Sequence, residues 1–107
     1  MNKVELSFKE KGIPRVGTYV YPKQVAIDFI DECKKFNIGI LGIDALIIHG
    51  EFTEPSLENS VDFTATPYRE KPPINTWGTA VTFLKERDDL YYFEIICSDD
   101  PEAQPAF

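Results

Sequence analysis

The sequence predicts an α+β fold: an antiparallel sheet with two helices on one face, in the β-α-β-β-α-β order of a ferredoxin-like domain. Two segments repeat apolar residues at helical spacing. Four others are rich in β-branched and aromatic residues or alternate with period two, and each helical segment falls between two of them. A single domain over 1–107 is expected, with 99–107 as a loose polar tail broken by Pro101 and Pro105.

The elements follow in order. Val4, Leu6 and Phe8 alternate with Glu5 and Ser7, which reads as a short strand. Lys9 to Pro14 reads as a turn, and Arg15 to Tyr21 is β-rich. An N-terminal hairpin over 15–21 is the alternative to the plain ferredoxin-like order. Pro22 suits a first helical turn, and Val25, Ala26, Phe29, Ile30, Cys33 and Phe36 give an apolar stripe for a helix over 22–36. Asn37 and Gly39 can stop it in the left-handed conformation.

Ile38 to His49 is an apolar run with two glycines and predicts a buried central strand. Gly50 to Asn59, acidic and holding Pro55, reads as a loop, and Val61, Phe63 and Ala65 as a half-exposed strand. Residues 66–75 contain three prolines and read as a loop. Asn75 or Thr76 caps a second helix, with Trp77, Ala80, Val81 and Leu84 as its stripe, running to about residue 87. Asp88-Asp89 turns the chain into a last strand, Leu90 to Cys97. Phe29, Ile30, Trp77, Val81, Leu84, Phe93 and Ile95 are the expected core.

Composition narrows the function. With 43% hydrophobic and 27% charged residues the chain is globular rather than disordered or fibrous. Eighteen acids against eleven bases leave a net charge of −7 and a pI near 4.6. Unassisted nucleic-acid binding and docking to an anionic membrane both need a basic footprint, so neither is expected. A basic protein partner is favoured by long-range attraction. The start lacks the apolar run of a signal peptide, and the run from Ile38 to Ile48, interrupted by Asp44, is far short of the ~20 residues of a membrane span. A soluble, cytoplasmic protein is expected.

No catalytic set assembles. His49 is the sole histidine and has no metal-ligand spacing around it, so it reads as structural and no metal is expected. No glycine-rich phosphate cradle is present, and no cofactor is expected. Cys33 and Cys97 read as two reduced core thiols. Asp44 interrupts an apolar strand. It is either a partly buried acid accepting hydrogen bonds or a contact carboxylate on an exposed sheet face, because burial without a partner is costly.

Charge is unevenly placed. Residues 1–35 carry seven bases and five acids, residues 36–107 four bases and thirteen acids. Neither 44–62 nor 88–102 contains a Lys or Arg. If Phe93 points at the helices, Tyr92 and Glu94 face outward, and a tyrosine among carboxylates suits an interface anchor. Glu51, Glu54, Glu58, Asp62, Tyr92 and Glu94 are therefore the candidate partner-binding residues, with Asp44 as structural acid or contact.

Leu41-Gly42-Ile43-Asp44-Ala45-Leu46, the run Glu54 to Phe63, Thr76 to Leu84 and Tyr92-Phe93-Glu94-Ile95 together resemble small immunity proteins of bacterial polymorphic toxin systems. The group meant is the one carrying an LGxDA-type strand and a QPS-type loop. The likeness covers about residues 25–97. Glu54 departs from it, standing before Pro55-Ser56 where a neutral residue is expected. The resemblance implies a non-enzymatic cytoplasmic inhibitor that binds and blocks one cognate toxin domain. Many such toxins are nucleases with basic active sites, where an acidic surface can take the place of phosphates. The alternative class is a ferredoxin-like regulatory module that holds a small ligand on its sheet face or dimer interface.

Overall fold

An asparagine cap opens the chain where a strand was expected. The computed structural model describes residues 1–15, 17–65 and 76–98. Its first element is α1 (Lys3–Phe8), begun by a capping box: the Asn2 side chain accepts from the Glu5 amide at 2.9 Å, and the Glu5 carboxylate accepts from the Asn2 amide at 2.9 Å. Val4 and Phe8, four apart, are buried, whereas Leu6 is exposed. The period-two reading of this segment is thus corrected: its buried pair obeys the helical i, i+4 spacing.

A 3₁₀ turn (Lys9–Lys11) leads to β1 (Ile13–Arg15) and β2 (Thr18–Pro22), an antiparallel hairpin that pairs Ile13 with Val20. An N-terminal hairpin is thus present, but it spans 13–22 rather than 15–21, since Ile13 and Pro14, expected in a turn, pair with Val20 and Tyr19 as its first strand. α2 (Lys23–Lys35) follows, ending at Asn37 with φ 58° while the Ile38 amide donates to the Cys33 carbonyl at 2.9 Å, an αL stop. β3 (Ile40–His49) and β4 (Phe52–Asp62) form a long hairpin whose two-residue turn, Gly50-Glu51, places Gly50 at φ +62°. The expected acidic loop over 50–59 is corrected by β4, and the strand expected at 61–65 stops at Asp62. Pro55 is accommodated because β4 is an edge strand. α3 (Thr76–Lys85) and β5 (Tyr92–Cys97) complete the chain, joined by a turn in which Asp88 Oδ1 accepts from the Leu90 amide at 2.9 Å. The loop expected at 66–75 and the tail expected at 99–107 lie outside the described residues.

The architecture is α+β, with a wholly antiparallel five-stranded sheet in the order β1-β2-β5-β3-β4 and three helices among the described residues. From β2 onward the chain runs β-α-β-β-α-β. Its lateral order differs from the ferredoxin-like expectation: the last strand, β5, inserts between β2 and β3, and β4 takes the edge.

The core lies between sheet and helices. Ala26, Phe29, Ile30 and Cys33 of α2, Ala80 and Leu84 of α3, and Val4 and Phe8 of α1 close over Tyr21, Ile43, Ala45, Phe93 and Ile95. Trp77 and Val81, expected inside, are only partly buried, and the Trp77 indole donates to the Ile38 carbonyl at 2.8 Å. Asn2 fastens α1 to the end of β5, its Nδ2 reaching the Cys97 sulfur and the Ser98 carbonyl, each at 3.1 Å.

Both cysteines are free thiols. A hydrogen bond with Cys97, and then burial, push the Cys33 thiol well above its ordinary value, so it stays protonated. A reducing agent should leave the melting temperature unchanged, and intact-mass measurement should find two alkylatable thiols after unfolding. A fall of several degrees on reduction would instead reveal a disulfide.

Tyr21 carries a second testable consequence. Burial first, and the Glu5 carboxylate second, push its phenol from 10.0 up to about 12. A pKa raised on folding contributes stability below the unfolded value and loses it as pH rises. Stability should therefore fall by about 2 kcal/mol between pH 10 and about 12 through this group. In Tyr21→Phe, denaturant melts across that window should show a correspondingly smaller decline. An equal decline in both proteins would place the alkaline sensitivity elsewhere.

Candidate functional site

The sheet has a second face, away from the helices, and its composition follows from strand alternation. With Ile43, Ala45, Phe93 and Ile95 turned to the core, Asp44, Leu46, Tyr92, Glu94 and Ile96 turn outward. Cross-strand partners share a face, so register specifies the neighbours: Tyr92 opposite Leu46, Glu94 opposite Asp44, and Ile96 opposite Gly42. Gly42 also pairs with Asp62 on its other side.

Asp44 is exposed, which removes the reading of it as a partly buried hydrogen-bond acceptor. It stands directly across from Glu94, and like charges in that relation destabilise a sheet. Among the described residues neither carboxylate has a hydrogen-bonding or cationic side-chain partner. The third carboxylate of the face, Asp62, is preoriented: its Oδ1 accepts from the Thr64 amide at 2.8 Å and the Thr64 hydroxyl at 2.6 Å. Those two bonds, the hydroxyl's foremost, hold Asp62 below the usual carboxylate range and keep it ionised.

Two irregularities shape this face. Leu41 is an extra residue in β3 relative to β5 and is bulged outward. On the other side, Ile43 pairs with Val61 but Ala45 pairs with Ser56, so the four residues Leu57–Ser60 of β4 stand opposite the single residue Asp44. Side chains buttress that wide bulge. Asn59 Nδ2 donates to Ser56 Oγ at 2.9 Å and to the Tyr91 hydroxyl at 3.0 Å, and Ser60 Oγ accepts from the Ala45 amide at 2.9 Å. At its crest Leu57 is 87% exposed, beside exposed Glu58.

Between the bulges lies a groove of about 340 Å³, with Gly42, Thr64 and the backbone at Val61 in its lining, Leu41 and Ile96 as apolar surface, and Asp44 and Asp62 as its carboxylates. The other end of the face is closed. Beyond the last β3–β5 pair the β3–β4 hairpin runs on, and the Arg15 guanidinium of β1 donates to the Gly50 carbonyl at 2.9 Å. Val20, on the same face as Arg15, has no exposed surface.

The expected partner-binding residues therefore divide. Asp62, Tyr92 and Glu94 share the open face with Asp44. Glu51 sits in the hairpin turn. Glu54 pairs with Ile47 on the opposite side of the hairpin, its carboxylate 3.1 Å from His49 Nε2. Glu58 rides the bulge. His49 is exposed and 6.1 Å from the Phe52 ring, so it is no core histidine. Leu41, Gly42, Ile96 and Leu57 are the additions of the structure. Gly42 stood out in the sequence as a strand glycine, but the bulges that give it a role depend on pairing partners distant in the chain.

Among the described residues no group of three or more His, Cys, Asp or Glu side chains is placed to hold a metal ion, and no helix is long and apolar enough to cross a membrane. No protein-family model, no curated protein and no solved structure matches the chain.

Proposed function

We propose that this chain is an inhibitory protein of the immunity type, which binds a basic toxin domain and blocks it. The observation that carries the reading is the sheet face opposite the helices. It sets Asp44, Glu94 and Asp62 in a frame of Tyr92, Leu46, Leu41 and Ile96, and its opposed carboxylates have no cation of their own among the described residues. Carboxylates beside a half-buried tyrosine and accessible aliphatic side chains are the composition of a protein interface with a steering rim. The net charge of −7 favours a basic partner, and the likeness of the LGIDAL strand to immunity proteins points to a toxin.

A nuclease domain fits that chemistry best, since its phosphate-binding cleft is positively charged and carboxylates can occupy it. The test is direct. A basic toxin domain sought in the gene neighbourhood of this chain is purified with its catalytic residue inactivated and titrated with the chain in a calorimeter, while the active toxin is assayed with and without it. Stoichiometric binding and loss of toxin activity are expected. An active toxin in the presence of excess chain, with no heat of binding, overturns the reading.

A further inference from the structure

Resting on that reading of the open face, we infer that the groove beside Gly42 is a socket for an arginine side chain of the protein partner. Three features narrow the occupant to this chemistry. The groove, at about 340 Å³, reaches the lower end of the range for small-ligand sites, so it takes a whole long side chain rather than a methyl group. Its charge is all of one sign: Asp44 and Asp62 line it, Glu94 stands opposite Asp44, and no lysine or arginine occurs from residue 44 to 62. Its apolar side chains are Leu41 and Ile96, and Thr64 and the backbone at Val61, whose side chain packs toward the core, complete the lining.

A cation that must sit against apolar walls while meeting carboxylates is better served by guanidinium than by ammonium. Guanidinium is planar, weakly hydrated and forked, whereas ammonium is compact and strongly hydrated. An incoming arginine would also relieve the repulsion between Asp44 and Glu94, which the free protein bears unassisted among the described residues.

The socket is built in before the partner arrives. A Cβ at Gly42 would stand 3.0 Å from the Val61 carbonyl oxygen, so a larger residue at this position of the lining would need the β4 backbone to give by a few tenths of an ångström. Asp62 is already fixed by Thr64, and the bulge opposite Asp44 is fixed by Ser56, Asn59 and Ser60. Leu41 and Ile96, 39% and 36% exposed, flank the opening. A side chain entering here would lose little to reorganisation of the protein.

The experiment uses the ¹⁵N-labelled full chain and Nα-acetyl-arginine amide as the probe, followed by amide chemical shifts at low salt. Saturable shifts centred on Gly42, Asp44, Asp62 and Ile96 are expected, in the millimolar range. The lysine counterpart should bind about fivefold more weakly, and Asp44→Asn or Asp62→Asn should each weaken the arginine probe by about fivefold or more. The spectra of both variants without probe report whether they fold. Shifts spread over 88–91 and the hairpin turn, equal responses to the arginine and lysine probes, or binding untouched in both folded variants would each overturn the socket. No toxin enters this test, so its failure leaves the inhibitor reading standing. Conversely, an arginine socket in a chain that fails to neutralise the toxin would separate the two.

Discussion

Replacing Phe29 by alanine should lower the stability of the fold by about 3–5 kcal/mol. Phe29 lies on the inward face of α2, is 1% exposed, and is the side chain on which three elements meet. Its ring takes the edge of Phe8 from α1 at 5.4 Å and 63°, and it lies 5.4 Å from the Tyr21 ring of β2. Truncation removes its buried apolar surface, opens a cavity under helix and sheet, and ends both aromatic contacts, each worth about 0.5–1.5 kcal/mol beyond area. For a domain with about 5–15 kcal/mol in total, that is a large share. Trp77→Ala should cost less, about 2–3 kcal/mol, because Trp77 is only partly buried and its loss chiefly ends one hydrogen bond and the packing of α3. Urea unfolding with an unchanged m-value measures both. A Phe29 variant within 1 kcal/mol of the parent would show that α1, α2 and the sheet do not share this core.

What the sequence makes legible here follows from the range of the signal. α2 is readable because its stripe, its basic last turn and its Asn37 stop all lie within a few residues of one another. α1 is misread for a local reason. Val4, Leu6 and Phe8 satisfy two periods at once, and only the Asn2–Glu5 box separates them, a cap whose first residue is asparagine rather than the usual serine or threonine. β4 is missed because Pro55 and its two glutamates, Glu54 and Glu58, suppress strand propensity, and what overrides them is an edge position created by β3.

Lateral order is a harder matter. β2, β3, β4 and β5 follow one another in the chain as a ferredoxin-like domain requires, and nothing in their spacing says that β5 enters between β2 and β3. The site shares that limit. Tyr92 and Glu94 are assigned to the outward face by alternation with Phe93, a two-residue inference, and they lie there. The opposition of Glu94 to Asp44, and the groove beside Gly42, arise from pairing across about 50 residues of sequence and from two bulges with no local signature.

The interface, if it is the open face, divides its energetics between rim and centre. Tyr92→Ala should speed dissociation from the cognate toxin domain by the equivalent of about 2–4 kcal/mol, with little change in association. Tyr92 is half-buried between Leu46 and Pro22 in the plane of the face, so its ring is already held in the orientation it presents. Glu51, Glu54 and Glu58 lie at the hairpin turn and on β4, exposed and away from that centre. Reversing them to lysine should slow association by about tenfold or more at low salt and leave dissociation nearly unchanged. Exposed charges are screened within about 8–10 Å at ordinary ionic strength, so the defect should shrink as salt is raised, whereas that of Tyr92→Ala should persist. Rate measurements at two salt concentrations separate the two classes. If charge reversal at Asp44, Asp62 and Glu94, the carboxylates of the open face, leaves both rates and cell protection intact, the acidic face does not meet the toxin. The basic N-terminal third would then be the surface to examine, beginning with Lys9, Lys11, Arg15 and Lys23, where the charge pattern of the chain is reversed.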